Sequence, residues 1–325
     1  MKAFVIGNGG WGTALGMVLA RHGNEVSIWG PFEEELAPVR ETGENRAYLP
    51  GVKIPGEIAW TSDPAAVGDA EMVVVVTPSR FYRSSLEGFK PHLPEGVPIV
   101  SATKGLDEAT HQRMSEVAHD VLGRDIAILS GPSHAEEVAR SIPTAVTIAG
   151  EQAERMQRAF LGESFRVYTS DDLIGVEIGG TFKNVIAVAA GILDGMQLGD
   201  NSKAALITRG LAEITRLGVC LGARAETFSG LSGIGDLIVT CGSRHSRNRS
   251  VGERLGKGES LDQIMSGMKQ VAEGIWNAKA ARDLAAEHKI EMPITEEVCK
   301  IVEEGKDPRQ ALKDLMSREP GAESE

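Results

Sequence analysis

The sequence predicts an α/β protein whose N-terminal part is a doubly wound, Rossmann-type sheet domain and whose C-terminal part is an all-α domain. Three observations carry that prediction. A glycine turn, Gly7-Asn8-Gly9-Gly10-Trp11-Gly12, stands between an apolar run and a second apolar run at helical spacing. Strand and helix signals alternate from there to about Asp171. Beyond Asp171 the helical period continues and no strand signal returns. The expected division is therefore a sheet domain over 1–172, a helical domain over 173–316, and a polar, acidic, disordered tail over 317–325.

The elements follow in order. Residues 1–6 read as a buried strand, and residues 13–23 as a helix stopped by Gly23. In the turn between them, Gly7 permits the sharp reversal. Gly9 lacks the side chain that would hold a diphosphate away from backbone N–H groups, and Gly12 lets helix and strand approach closely. The helix start adds partial positive charge at the same place. Residues 25–29 form a second strand, followed by a short helix over 33–42. The run Met72-Val73-Val74-Val75-Val76 has the continuous β-branched character of a strand covered on both faces. Further strands are expected at 97–102, 126–130, 144–148 and 165–168, with helices near 79–90 and 107–122. The helical half divides at Gly and Pro into 173–193, 202–222, 224–229, 248–256, 260–266, 274–288, 294–304 and 307–316.

Bulk properties bound the function. The chain has 325 residues, a net charge of −12 and a pI near 5.2. That argues against a general nucleic-acid binder but leaves room for a local basic pocket. Cys220, Cys241 and Cys299 form no C-x-x-C pair and read as free thiols in a reducing compartment. The first strand begins at once, leaving no space for a signal peptide. The apolar stretch 173–193 is interrupted by Glu177, Lys183 and glycines, so stable membrane insertion is not expected. The histidines form no metal set.

Several positions can carry chemistry. Three loops follow strands at the edge where open α/β sheets bind ligands: Thr77-Pro78-Ser79, Ala102-Thr103-Lys104-Gly105, and Ser130-Gly131-Pro132-Ser133-His134. Lys104 can reach into the crevice. Ser133 can serve a ligand or, with Glu136, a capping box. Lys183 lies in Gly179-Gly180-Thr181-Phe182-Lys183-Asn184-Val185-Ile186-Ala187, sharing a helix face with Gly180 and Ala187. Such a lysine either snorkels or is desolvated, and desolvation lowers its pKa toward proton exchange near neutrality. Asn184 beside it can bond a hydroxyl and help orient the lysine. Asp236, between glycines and an apolar run, can hold an ammonium or cap a helix. The stretch 243–250, with Arg244, Arg247 and Arg249 among serines and Asn248, collects donors suited to a phosphate, or forms an exposed basic loop. His134 is a secondary acid–base candidate. After the second strand no acid stands at the strand end. Glu33, Arg40 and Arg46 follow, leaving NAD and NADP unresolved.

Taken together, GNGGWGTAL, ATKGL, SGPSHAEEV, GGTFKNVIA, TRGLAEI, GIGDLIVTC, SRNR, VAEG and EMPITEEV resemble the bacterial NAD(P)-dependent glycerol-3-phosphate dehydrogenase family, over Gly7 to about Ala311. The resemblance implies reduction of dihydroxyacetone phosphate to sn-glycerol 3-phosphate, for phospholipid synthesis, by a cytosolic homodimer. It implies Lys183 as proton donor, Lys104 as a second ammonium, and Gly131, Ser133 and Asp236 as substrate contacts. Ser246, Arg247 and Asn248 would surround the phosphate. Gly10, Trp11, Ala135, Val271 and Glu273 would touch the cofactor, and Arg247 both ligands. Many relatives carry a basic residue or histidine where this chain has Pro31, which weakens the case for a 2′-phosphate site. The resemblance still implies NADPH over NADH, without excluding NADH, because the family usually prefers NADPH. Competing expectations are another NAD(P)-dependent hydroxyacid dehydrogenase of the same architecture and a non-catalytic NAD(P)-binding sensor.

Overall fold

The structure is a computed structural model that describes residues 1–266 and 272–323. Strand β1 (Lys2–Ile6) runs into the glycine turn, which opens helix α1 (Gly10–Arg21). Then come β2 (Glu25–Trp29), α2 (Glu33–Thr42) and the short β3 (Ala59–Thr61). Next are β4 (Met72–Val75), α3 (Ser79–Phe89), β5 (Ile99–Ser101) and α4 (Met114–Leu122). β6 (Ala127–Ser130), α5 (Ala135–Ala139), β7 (Thr144–Gly150), α6 (Ala153–Phe160) and β8 (Phe165–Ser170) complete this half.

The eight strands form one sheet in the order β3-β2-β1-β4-β5-β6-β7-β8. Every neighbouring pair is parallel except β6–β7. The chain builds outward from β1 to β3, then crosses back to β4 and builds the other way. The reversal opens a crevice beyond the carboxyl ends of β1 and β4, the place where such sheets bind ligands. The valine run of β4 is buried at all four positions, as a strand covered on both faces must be.

Three local expectations change. Residues 107–113 are not helical: the Asp107 carboxylate accepts from the Ala109 and Thr110 N–H groups, and Leu106 bridges to Arg113. This Asx-type turn competes with helix for the same backbone donors. His111 therefore lies in that loop at φ +55°, not on the helix that carries His119. β3 and α6 were not anticipated, being too short for a period to register.

The second half consists of α7 (Leu173–Gly195), α8 (Asp200–Cys220), α9 (Asp236–Gly242), α10 (Arg247–Gly256), α11 (Leu261–Ser266), α12 (Glu273–His288), α13 (Pro293–Glu304) and α14 (Pro308–Met316). No strand follows β8 among the described residues. Helix α7 is the axis, buried continuously from Gly175 to Leu193. By length and composition it can cross a membrane, but 89% of its apolar window is buried inside the protein, so it is a core helix. Its small residues let α10 approach to backbone contact: a Cβ on Gly191 would lie 2.0 Å from the Arg249 carbonyl oxygen.

α7 also joins the two halves. Asp172 caps its first turn through the Gly175 N–H and accepts from Arg224 N and Thr227 Oγ1. Glu177 is buried and accepts from Ser115 N, Ser115 Oγ and Arg113 at the start of α4. Burial pushes this carboxyl above its ordinary range, and Arg113 and Ser115 oppose the rise. Beyond α14, Arg318 pairs with Glu291 and Arg209 donates to the Glu323 carbonyl.

The glycine turn yields a paired prediction. A Cβ on Gly12 would sit 2.0 Å from the Gly7 carbonyl oxygen, whereas one on Gly9 meets nothing within 4 Å. Gly12→Ala is expected to destabilise by about 1–3 kcal/mol, and Gly9→Ala by less than about 0.5 kcal/mol. Urea unfolding of the two variants checks the contrast.

Candidate active site

The glycine turn lines one side of the crevice. Gly7 adopts φ +127° and its N–H donates to the Trp29 carbonyl at 2.9 Å, tying the turn to the end of β2. Intrahelical bonding in α1 begins with Thr13 N to Gly9 O. The N–H groups ahead of it have no intrahelical partner, and the space before Gly9 is open. Gly10 is pressed against the Tyr48 carbonyl on one side and Ala135 on the other, where its Cβ would lie 3.7 Å from that of Ala135. The Trp11 indole packs against the sheet core, yet its buried Nε1 has no hydrogen-bond partner. An open cradle of N–H donors with an unpaired indole N–H suits an anionic dinucleotide.

Across the crevice, two lysines from the two halves meet one carboxylate. Lys104, in the loop after β5, donates to Asp236 Oδ2 at 2.7 Å and to the Gly131 carbonyl at 3.1 Å. Lys183, on α7, donates to Asp236 Oδ1 and, at 2.8 Å, to Thr240 Oγ1. Asp236 is 1% exposed and Lys183 6%. Asp236 opens α9, and Thr240, one turn on, returns its own hydroxyl proton to the Asp236 carbonyl. The Asp236 side chain thus serves the ammonium groups and caps no helix.

The electrostatics follow from two cations sharing one anion in a buried place. Burial alone would raise Asp236, but the two ammonium groups hold its carboxyl below the usual range. Lys183 is lowered to about 7, first by burial and then by the charge of Lys104, with Asp236 opposing. When both amines are protonated the cluster carries a net positive charge, which favours negative charge on a nearby oxygen. His134, which caps α5 with its backbone, is also lowered, by burial and by the Lys183 charge.

The other sequence-predicted residues lie around this cluster. Ser133 Oγ donates to the Gly131 carbonyl that also receives Lys104. It does not cap α5, so the capping box with Glu136 is absent and Ser133 belongs to the crevice wall. Asn184 Oδ1 accepts from Asn248 Nδ2 at 2.9 Å, and Asn248 Oδ1 accepts from Gly274 N. Asn184 is thus committed to Asn248, and the group that orients Lys183 beside Asp236 is Thr240. Ser246 caps α10 through Arg249 N. Arg247 is exposed at the start of α10, and its charge opposes the burial-driven rise of the Glu273 carboxyl. Glu273 accepts from Ser79 N at 3.4 Å, a further bond between the halves. Arg249 turns away to Asp194 and Glu253, and so leaves the basic cluster smaller than its sequence suggested. Val271 lies outside the described residues.

Sequence reasoning missed Thr240, for which the i, i+4 spacing from Asp236 was the available signal. It also missed Ser130 and Thr181, whose buried hydroxyls have no partner. A Cβ on Gly180 would lie 2.2 Å from Ser130 Oγ, so that hydroxyl sits one turn below Lys183.

Removing the shared carboxylate strands two cations. Asp236→Asn is expected to cost about 3–5 kcal/mol of stability near pH 6. The loss shrinks as pH rises, because an unfolded lysine stays protonated to about 10.5 while the stranded Lys183, already lowered by burial, sheds its proton earlier. Chemical denaturation of the variant at pH 6 and pH 9 reads the difference.

Comparison with known proteins identifies the family. Residues 2–156 match the family model described as the NAD-dependent glycerol-3-phosphate dehydrogenase N-terminus, and 172–313 match that of the C-terminus. A glycerol-3-phosphate dehydrogenase (NAD(P)+) of Moorella thermoacetica is 50% identical over 318 residues, spanning 97% of this chain and 95% of that protein. One from Geobacillus kaustophilus is 48% identical, spanning 97% and 94%. The crystal structure of glycerol-3-phosphate dehydrogenase from Coxiella burnetii superposes with a TM-score of 0.94 at 38% identity, covering 98% of this chain and 99% of that one. With both halves matched by the family models and relatives covered over nearly their whole length, the chain belongs to the glycerol-3-phosphate dehydrogenase family.

Proposed function

We propose that this enzyme reduces dihydroxyacetone phosphate to sn-glycerol 3-phosphate with NAD(P)H, reversibly. Residues 1–172 hold the dinucleotide and 173–316 hold the triose and the proton-transfer group. The observation that carries the reading is the Lys183–Asp236–Lys104 cluster, a buried amine lowered toward neutrality at the crevice between the halves.

When bound, the dinucleotide supplies the hydride, and in reverse accepts it. The chain's own residues do the rest. Lys183 holds a proton at Nζ and passes it to the ketone oxygen as that oxygen becomes an alkoxide; in oxidation the neutral amine takes the proton back. Lys104 adds a second positive charge, and Asp236 with Thr240 fixes the direction of the Lys183 ammonium. Gly131 and Ser133 face the substrate hydroxyls, with Asn184 beside Lys183, and Ser246, Arg247 and Asn248, at the α10 start, surround the phosphate. Phosphate anchoring away from the reacting carbon aligns the ketone with the amine. Gly7, Gly9, Gly10, Trp11, Gly12, Ala135 and Glu273 take the dinucleotide, joined by Arg247, Lys104 and Val271. The family resemblance supports a cytoplasmic homodimer supplying phospholipid synthesis.

Dihydroxyacetone phosphate added with NADH or NADPH is expected to oxidise the nucleotide. Lys183→Ala is expected to lower kcat by about 10²–10⁴-fold while the nucleotide Kd stays within about twofold, and retained turnover would remove Lys183 from the chemistry. Arg247→Ala is expected to act chiefly on the triose-phosphate KM, and an unchanged KM would place the phosphate elsewhere. Tight nucleotide binding without turnover on any ketone would favour a sensor.

A further inference from the structure

We propose that the adenosine end of the cofactor groove selects NADH over NADPH, through the carboxylates of Glu33 and Glu35 at the start of α2. The inference rests on the dinucleotide reading above and goes beyond it by choosing between the two nucleotides. The resemblance to the family leans to NADPH, but the charges that follow β2 point the other way.

The first turn of α2 is bonded to the glycine turn. Gly30, one residue past β2, lies against Asn8, and a Cβ there would be 2.6 Å from the Asn8 Cγ. Asn8 Nδ2 donates to Glu35 Oε2 at 2.9 Å, and Tyr48 OH donates to Glu35 Oε1 at 3.0 Å. Asn45 Nδ2 donates to the Asn8 carbonyl at 2.8 Å and holds the other side of the turn. Glu35 is half-buried, and both of these partners are neutral, so its negative charge is oriented but not cancelled. Glu33 stands at the first position of α2 and accepts from Ser62 Oγ.

The cations that could receive a 2′-phosphate are already engaged. Arg40 binds Glu33 and the Trp60 carbonyl, and Arg46 binds Glu44. Residues 30–46 hold five carboxylates against these two guanidinium groups. The partial positive charge at the α2 N-terminus is itself met by Glu33, Glu34 and Glu35. A phosphate monoester brings about −1.5 to −2 charge at neutral pH and meets like charge here. A ribose 2′-hydroxyl can instead donate to a carboxylate. Selectivity therefore comes from repulsion of the unwanted nucleotide as well as from attraction of the right one.

The full chain is titrated with NADH and with NADPH, without substrate, by calorimetry or by quenching of protein fluorescence. NADH is expected to bind at least about tenfold tighter, a gap of about 1.4 kcal/mol. The gap is expected to narrow as salt rises, because like-charge repulsion is screened. Glu35→Gln and Glu33→Gln, which keep shape, are expected to narrow it severalfold by improving NADPH binding. Equal or tighter binding of NADPH to the unmodified chain overturns the selectivity and leaves the dehydrogenase reading standing. Failure of both nucleotides to bind overturns the two together.

Discussion

One carboxylate, Asp236, accepts an ammonium from each half of the protein, and the arrangement of the crevice depends on it. Lys104 arrives on the loop after β5, Lys183 on the core helix α7. A buried ion pair is stabilising only if both charges are well partnered. Here the anion is fully used, with one oxygen for each lysine, and Lys183 gains Thr240 as well. The cluster therefore couples two tasks. It pins the sheet half to the helical half, and it holds the buried amine to which the proposed proton transfer is assigned.

The amine is buried because of where α7 runs. A helix buried continuously from Gly175 to Leu193 leaves a lysine near its middle only 6% exposed. Small residues along that helix let α10 come to backbone contact, bringing Ser246, Arg247 and Asn248 alongside. Ser130, at the end of β6, packs against Gly180 from the other side. Desolvation then lowers Lys183, and the single shared anion restores only part of the cost. Proteins accept such locally unfavourable groups where chemistry needs them. A hydrophobic side chain at position 183 would suit the core better but would remove the proton carrier that the proposed reaction needs.

Much of this was legible in the residues. The glycine turn announced itself because its spacing sat between a strand and a helix, and the valine run of β4 because no amphipathic alternation interrupted it. Lys183 stood out as a cation among glycine, alanine and valine. What could not be read was pairing across distance. Nothing local says that Lys104 and Asp236, 132 positions apart, share a bond. Ser133 and Glu136 carried a plausible capping pattern, yet the Gly131 carbonyl won the hydroxyl. Arg249 belonged to the basic cluster in sequence, but helical geometry turned it to Asp194 and Glu253. The loop 107–113 carried a helical pattern that the Asp107 turn overrode.

Burial has brought one amine, Lys183, into the range where it can exchange protons near neutrality. Its most direct test is a pH titration of the Lys183 side chain by NMR in lysine-labelled protein, assigned by difference from Lys183→Arg. The expected midpoint is about 7, well below that of a solvated lysine. A Lys183 signal that titrates only near 10.5, with the other lysines, would contradict it.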